Sequence, residues 1–189
     1  ETPRLRMFAG PNGSGKSTIK DVINKELLGI YINPDDIEKN IKENGYLDFN
    51  NFEIEASEKE VLDFFRNSTL LKSVNLQNKI SDLKYENNKL IFINIDINSY
   101  FASVCADFIR KKLLEYKKSF TFETVMSSYD KIELLKLSRS LGYRNYLYYI
   151  ATRDPLINIS RVKNRVAFKG HDVPEDKIIS RYYRSLGFL

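Results

Sequence analysis

An α/β fold in three layers, with helices on both faces of a central, mostly parallel sheet and a helical insertion, is what this sequence predicts. Three observations carry that expectation. A glycine-rich turn joins an apolar run to a helix-competent segment near the start of the chain. Short apolar runs at Ile30–Ile32, Phe120–Glu123 and Tyr146–Ala151 are then separated by segments of helical spacing, and strands alternating with helices give a parallel sheet covered on both sides. Between residues 45 and 98 the composition shifts to Asn, Lys, Glu and Ser, as expected of an insertion.

The turn is Gly10, Pro11, Asn12, Gly13, Ser14, Gly15, Lys16, Ser17, Thr18, which meets G-x-x-x-x-G-K-[ST] at every fixed position. Leu5 to Ala9 ahead of it can be a buried strand, and Ile19 to Leu28 behind it a helix. In that setting the motif is a Walker A phosphate loop, and the fold is that of a P-loop NTPase. The glycines let backbone N–H groups and the positive end of the next helix converge on phosphates. Lys16 is placed for the β- and γ-phosphates and the Ser17 hydroxyl for Mg²⁺. The cofactors expected are therefore ATP or GTP with Mg²⁺.

Composition bounds what else the chain can be. Its 189 residues suit a single domain with room for one insertion. No run of about 18 apolar residues would span a membrane, and the basic, proline-containing start is unlike a secretory leader. The first residue is Glu, so the true N-terminus is not given. A lone Cys105 between Val104 and Ala106 reads as a small core residue, and a soluble, cytoplasmic protein is expected. The net charge of +5 suits a site for nucleotide phosphates, and no basic run interleaved with aromatics marks nucleic acid as the main ligand.

In order along the chain, Arg4 to Ala9 is the first strand and Lys16 to Leu28 its helix, stopped by Gly29. Ile30–Ile32 is a short strand closed by Asn33 and Pro34. Asp35 and Asp36 follow at its carboxyl end, where ligands of open α/β sheets sit; Asp36 is expected to cap a helix over 37–44 and Asp35 to be the reactive acid. Within the insertion, Val61, Leu62, Phe65 and Leu70, Leu71, Val74 have helical spacing. The run from Leu90 to Ile95 ends in Asp96; because Asn94 interrupts the run, a strand within the insertion or the entry to a helix is the preferred reading, and a Mg²⁺-holding carboxylate at a strand tip is the other.

Phe101, Val104, Cys105, Phe108, Ile109, Lys112 and Leu113 define one face of a helix. Phe120–Glu123 is a strand ending in an acid, and Tyr129 to Leu141 a helix stopped by Gly142. After the strand Tyr146–Ala151, residues 153–186 read as two Arg-rich, lid-like helices around a hinge containing Gly170 and His171. Arg161 and Arg165 lie at i, i+4 on one face, and Arg181 and Arg184 follow on the last helix. Arginine forks suit phosphate; a solvated basic face is the other reading for each.

Taken together, these residues resemble the zeta toxin family of P-loop kinases, over roughly residues 4–44 and 99–189. Beyond the phosphate loop, the likeness rests on Phe122-Glu123-Thr124, on Gly170 to Glu175 and on Arg181-Tyr182, a pattern of the predicted ATPases grouped with that family. The resemblance implies transfer of the γ-phosphate of ATP to a hydroxyl of a small molecule, in zeta toxins the amino sugar of UDP-N-acetylglucosamine, with an antitoxin as protein partner. It makes Asp35 the base, Glu123 and Thr124 the acceptor contacts, and Arg161 and Arg165 the groups that neutralise the transferring phosphate. The chain departs from the family at Glu123-Thr124-Val125-Met126-Ser127, where zeta toxins have Glu-Gly-Thr-Leu-Arg. That departure leaves the acceptor open. A P-loop NTPase switch acting on a protein or nucleic-acid partner, and a silent nucleotide binder, are the competing readings.

Overall fold

The computed structural model describes residues 2–168, 170 and 172–189. In chain order the elements are β1 (Arg4–Ala9), α1 (Lys16–Val22), α2 (Lys25–Leu28), β2 (Ile30–Ile32), α3 (Pro34–Asn44) and β3 (Tyr46–Asp48). There follow α4 (Glu58–Arg66), α5 (Thr69–Ser73), β4 (Leu83–Glu86), β5 (Lys89–Phe92) and α6 (Ser99–Glu115). The chain closes with β6 (Phe120–Thr124), α7 (Asp130–Ser140), β7 (Arg144–Tyr149), α8 (Pro155–Ala167) and α9 (Glu175–Leu186). It divides into two compact units, one of Glu1–Tyr31 with Ser119–Leu189 and one of Ile32–Lys118.

The first unit is built on a four-stranded sheet in the order β2-β6-β1-β7. β1 runs parallel to both neighbours, from Leu5 opposite Phe120 to Ala9 opposite Thr124 on one side and from Arg4 opposite Arg144 to Ala9 opposite Tyr149 on the other. Leu5, Met7, Phe8 and Ala9 of β1 are all fully buried, and Arg6, which interrupts the apolar run, is buried as well, with its guanidinium 5.1 Å from the Tyr146 ring centroid. The Phe8 ring stacks on Tyr148 at 4.9 Å. The single helix expected over Lys16–Leu28 is two short ones. Ile23 is extended, and the Asn24 side chain accepts from the Glu26 N–H at 3.0 Å, so a local cap restarts the helix. Beyond the sheet, α8 and α9 share a small apolar core of Ile159, Val162, Val173 and Ile178.

The second unit holds the stretch that was expected to be a helical insertion, and it is mixed. The helical spacing does mark α4 and α5, but β3, β5 and β4 form a three-stranded antiparallel sheet in that order. Asn87 and Asn88 take φ of +49° and +59°, the left-handed pair that a two-residue hairpin turn requires. β5 ends at Phe92, and Asn94 turns the chain at φ +53°, so Asp96 stands exposed past an antiparallel strand and not at the tip of a parallel one. Among the described residues no group of three or more His, Cys, Asp or Glu is gathered to hold a metal. Cys105 is fully buried on α6, and burial pushes its thiol up, away from the reactive form.

Ser57 and Glu60 form a reciprocal cap at the start of α4, where the Ser57 N–H donates to the Glu60 carboxylate at 2.7 Å. Those Ser57 bonds, with the Lys112 ammonium 3.1 Å away, hold the Glu60 carboxyl down to about 2 from its ordinary 4.5. A carboxyl depressed on folding stabilises fully above its unfolded value and loses that contribution as pH falls through the folded one. Glu60→Gln is therefore expected to lower the melting temperature at pH 7, with the gap to the parent closing between pH 5 and about 2. Melting curves across that range check this, and a gap that stays constant on acidification contradicts it.

Candidate nucleotide-phosphate site

The loop from Gly10 to Thr18 leaves β1 at the carboxyl end of the parallel strands. Its first residue is clamped: the Gly10 N–H donates to the Thr124 carbonyl at 3.2 Å, and a Cβ there would fall 2.0 Å from the Ile150 carbonyl oxygen. At Gly13, φ is +76° and a Cβ would stand 2.5 Å from the Asn158 carbonyl oxygen, so the loop lies directly on the first turn of α8. Only glycine meets both demands.

Cationic side chains gather on this loop. The Lys16 ammonium donates to the carbonyls of Gly10 at 2.7 Å and Pro11 at 3.1 Å. Arg161 of α8 donates to the Ser14 carbonyl at 3.2 Å, and Arg181 of α9 to the Asn12 side-chain oxygen at 3.2 Å. Ser14 is only 4% exposed, and its buried hydroxyl has no hydrogen-bond partner among the described residues. A buried hydroxyl left unsatisfied costs free energy unless a ligand completes it. An orphaned hydroxyl, cations from three elements and a glycine cradle that any Cβ would fill together suit a polyphosphate. Ser17 and Thr18 are exposed on the first turn of α1, with the Ser17 hydroxyl available to a metal ion.

On the neighbouring strand, Glu123 is 8% exposed and lies in register with Phe8. Its carboxylate accepts from the Tyr31 hydroxyl, and the Lys20 ammonium sits 4.4 Å above the Tyr31 ring. The Thr124 hydroxyl accepts from the Met126 N–H at 3.0 Å, fixing the turn that leaves β6. Arg165 is one turn beyond Arg161, and Gly170 packs against its stem so closely that a Cβ would meet Arg165 Cγ at 2.4 Å. His171, assigned above to the hinge, lies outside the described residues.

Asp35 and Asp36 belong to the second unit and are both exposed in the first turn of α3. The helix begins earlier than expected. Pro34 takes its first position and Asn33, not Asp36, is the cap, its side chain accepting from the Asp35 N–H at 3.0 Å. Two acids in a first turn are also favourable to the helix dipole.

Sequence reasoning passed over two residues here. Tyr31 was read only as part of a short strand. Asn158 was hidden among the arginines of α8, although it precedes Arg161 by three positions and Val162 by four, on the stripe that turns inward. An amide on a buried stripe must find partners, and that is the signal that could have singled it out.

Sheet and loop together form an α/β fold whose central sheet carries a phosphate-loop motif at the carboxyl end of β1. No protein-family profile matches the chain, and no curated protein matches it in sequence. Its likeness is to solved structures. A chain of the Pnkp1/Rnl/Hen1 RNA repair complex is 12% identical at a TM-score of 0.56, covering 99% of this chain and 45% of that one. A candidate kinase from Chloroflexus aurantiacus is 12% identical at 0.54, covering 97% and 77%. A chain of the PezAT chromosomal toxin–antitoxin system of Streptococcus pneumoniae is 16% identical at 0.54, covering 98% and 62%. The chain thus spans less than two thirds of the first and third, and at these identities the likeness is one of fold. No helix among the described residues is long and apolar enough to cross a membrane.

Proposed function

We propose that this chain is an ATP- and Mg²⁺-dependent phosphotransferase that moves the γ-phosphate to a hydroxyl of a small molecule. The observation that carries the reading is the phosphate loop, with the Lys16 ammonium folded onto it and Arg161 reaching its carbonyls. On binding, those cations exchange backbone carbonyls for phosphate oxygens, and Ser14 gains the partner it lacks. The Ser17 hydroxyl would hold Mg²⁺, which would offset phosphate charge during transfer.

In the transfer, the acceptor oxygen forms a bond to the γ-phosphorus as the bond to the β-phosphate oxygen breaks, and ADP leaves. Asp35 accepts the hydroxyl proton. Its place directly after the second strand and the family resemblance support that role. Lys16, Arg161 and Arg165 compensate the charge on the transferring group, while Glu123 and Thr124 hold the acceptor. A nucleotide sugar such as UDP-N-acetylglucosamine is the proposed acceptor, the cytoplasm the proposed compartment, and a toxin neutralised by an antitoxin the proposed biological role. The presence of a toxin–antitoxin protein among the structural neighbours supports the last of these.

Incubation with γ-labelled ATP and a panel of nucleotide sugars, nucleosides, antibiotics and an RNA oligonucleotide tests the reading. Label on a small-molecule hydroxyl is expected. Asp35→Asn should then cut transfer by about 100-fold or more while ATP still binds, because the base is lost and the phosphate site is not. Label found only in free phosphate, at a rate that Asp35→Asn leaves unchanged, would overturn the transferase and favour an NTPase switch.

A further inference from the structure

The phosphate loop is held by a closed circuit of hydrogen bonds that returns to the helix it starts from. On α9, the buried Tyr182 hydroxyl donates to the Thr152 carbonyl at 2.7 Å. The Thr152 hydroxyl donates to the Asn158 side-chain oxygen. The Asn158 amide, fully buried, donates to the Asn12 carbonyl at 2.6 Å. Asn12 then accepts, through its own side chain, from Arg181, the residue before Tyr182. Asp154 caps α8 by accepting from the Leu156 N–H at 2.8 Å, which fixes the turn that presents Asn158.

We propose that Asn158 is a positioning residue for nucleotide binding: it orients the Asn12–Gly13 peptide, so that the loop is shaped for a polyphosphate before one arrives. The inference deepens the phosphate-loop reading above and rests on it. In a trans peptide the carbonyl and the following N–H point in opposite directions. With the Asn12 carbonyl turned to Asn158, the Gly13 N–H faces away from α8, where a phosphate oxygen accepts it. Removing the amide leaves that carbonyl without its donor and lets the peptide rotate. A loop shaped in advance avoids paying its ordering cost on binding.

Asn158→Leu removes both hydrogen bonds with the same heavy-atom branching and adds no charge. Its dissociation constant for ATP, measured by calorimetry on the full chain, should rise about tenfold or more. The KM for ATP should rise in parallel with kcat held within about threefold, since Lys16 and Asp35 are untouched. Asn145→Leu is the control for a purely structural loss. That amide also bridges two elements, donating to the Leu135 carbonyl at 2.8 Å and accepting from Ser138 at 2.9 Å, so its removal should lower the melting temperature and leave ATP affinity alone. Folded Asn158→Leu binding ATP within about twofold of the parent overturns the proposal. If that variant does not fold, Thr152→Val decides, because it keeps the amide but removes the hydroxyl that orients it. About threefold weaker binding is expected there, and parent-like binding overturns the proposal. A parent chain that binds no ATP refutes the phosphate-loop reading itself.

Discussion

Lys16→Ala is expected to lower phosphate-transfer turnover by at least about 100-fold, the scale seen when a preorganised donor to developing charge is removed. In this structure the ammonium bridges the Gly10 and Pro11 carbonyls at 2.7 and 3.1 Å, on the inside of the loop that would wrap the phosphates. Its charge is therefore already positioned, and swapping carbonyl for phosphate oxygens requires little movement. Alanine keeps the helix propensity of the first α1 position and removes the charge. The fold should survive, since α1 buries no residue of its own. Steady-state turnover with a melting curve on the same sample checks both halves of the expectation. Turnover within a few-fold of the parent would mean that the loop does not carry the reacting phosphate.

Gly13→Ala should abolish measurable ATP binding and lower the melting temperature by roughly 5–15 °C, through two costs at one position. A left-handed φ of +76° costs an alanine about 1–2 kcal/mol. The new Cβ would also stand 2.5 Å from the Asn158 carbonyl oxygen, an atom of helix backbone that cannot swing aside as a flexible side chain would. Either the loop lifts from α8 or α8 shifts, at an overpacking cost of about 1–3 kcal/mol. Gly142→Ala separates the two costs. Its φ is +87°, but a Cβ there meets nothing within 4 Å. It should therefore show only the smaller stability loss, with ATP affinity unchanged. Equal effects at the two glycines would refute the close approach between the loop and α8.

The parallel sheet and the phosphate loop were legible in the sequence because each is written in local terms. β1, apolar from Met7 to Ala9, lies at the positions expected, β2 is bounded by Gly29 and Asn33-Pro34, and the loop motif states its own backbone demands. Two local competitions were misread. At Asn24 a side-chain cap broke a helix that spacing alone would have continued, and at Asn33 a cap with Pro34 behind it started α3 ahead of Asp35. The antiparallel sheet of the second unit was missed for a related reason. Asn87-Asn88 is a hairpin turn without the glycine that usually announces one.

What the sequence by itself determined is the phosphate-loop motif on which the proposed chemistry rests: the Gly-rich loop, Lys16 and Ser17 are contiguous, so local spacing alone is enough to single them out. What only the tertiary structure decided is which distant side chains meet. Tyr31 reaches Glu123 across 92 positions, and Asn158 reaches Asn12 across 146. Neither pairing leaves a periodic trace, since a hydrogen bond between distant side chains depends on where the packed strands and helices bring their ends together and not on the spacing of residues along either one.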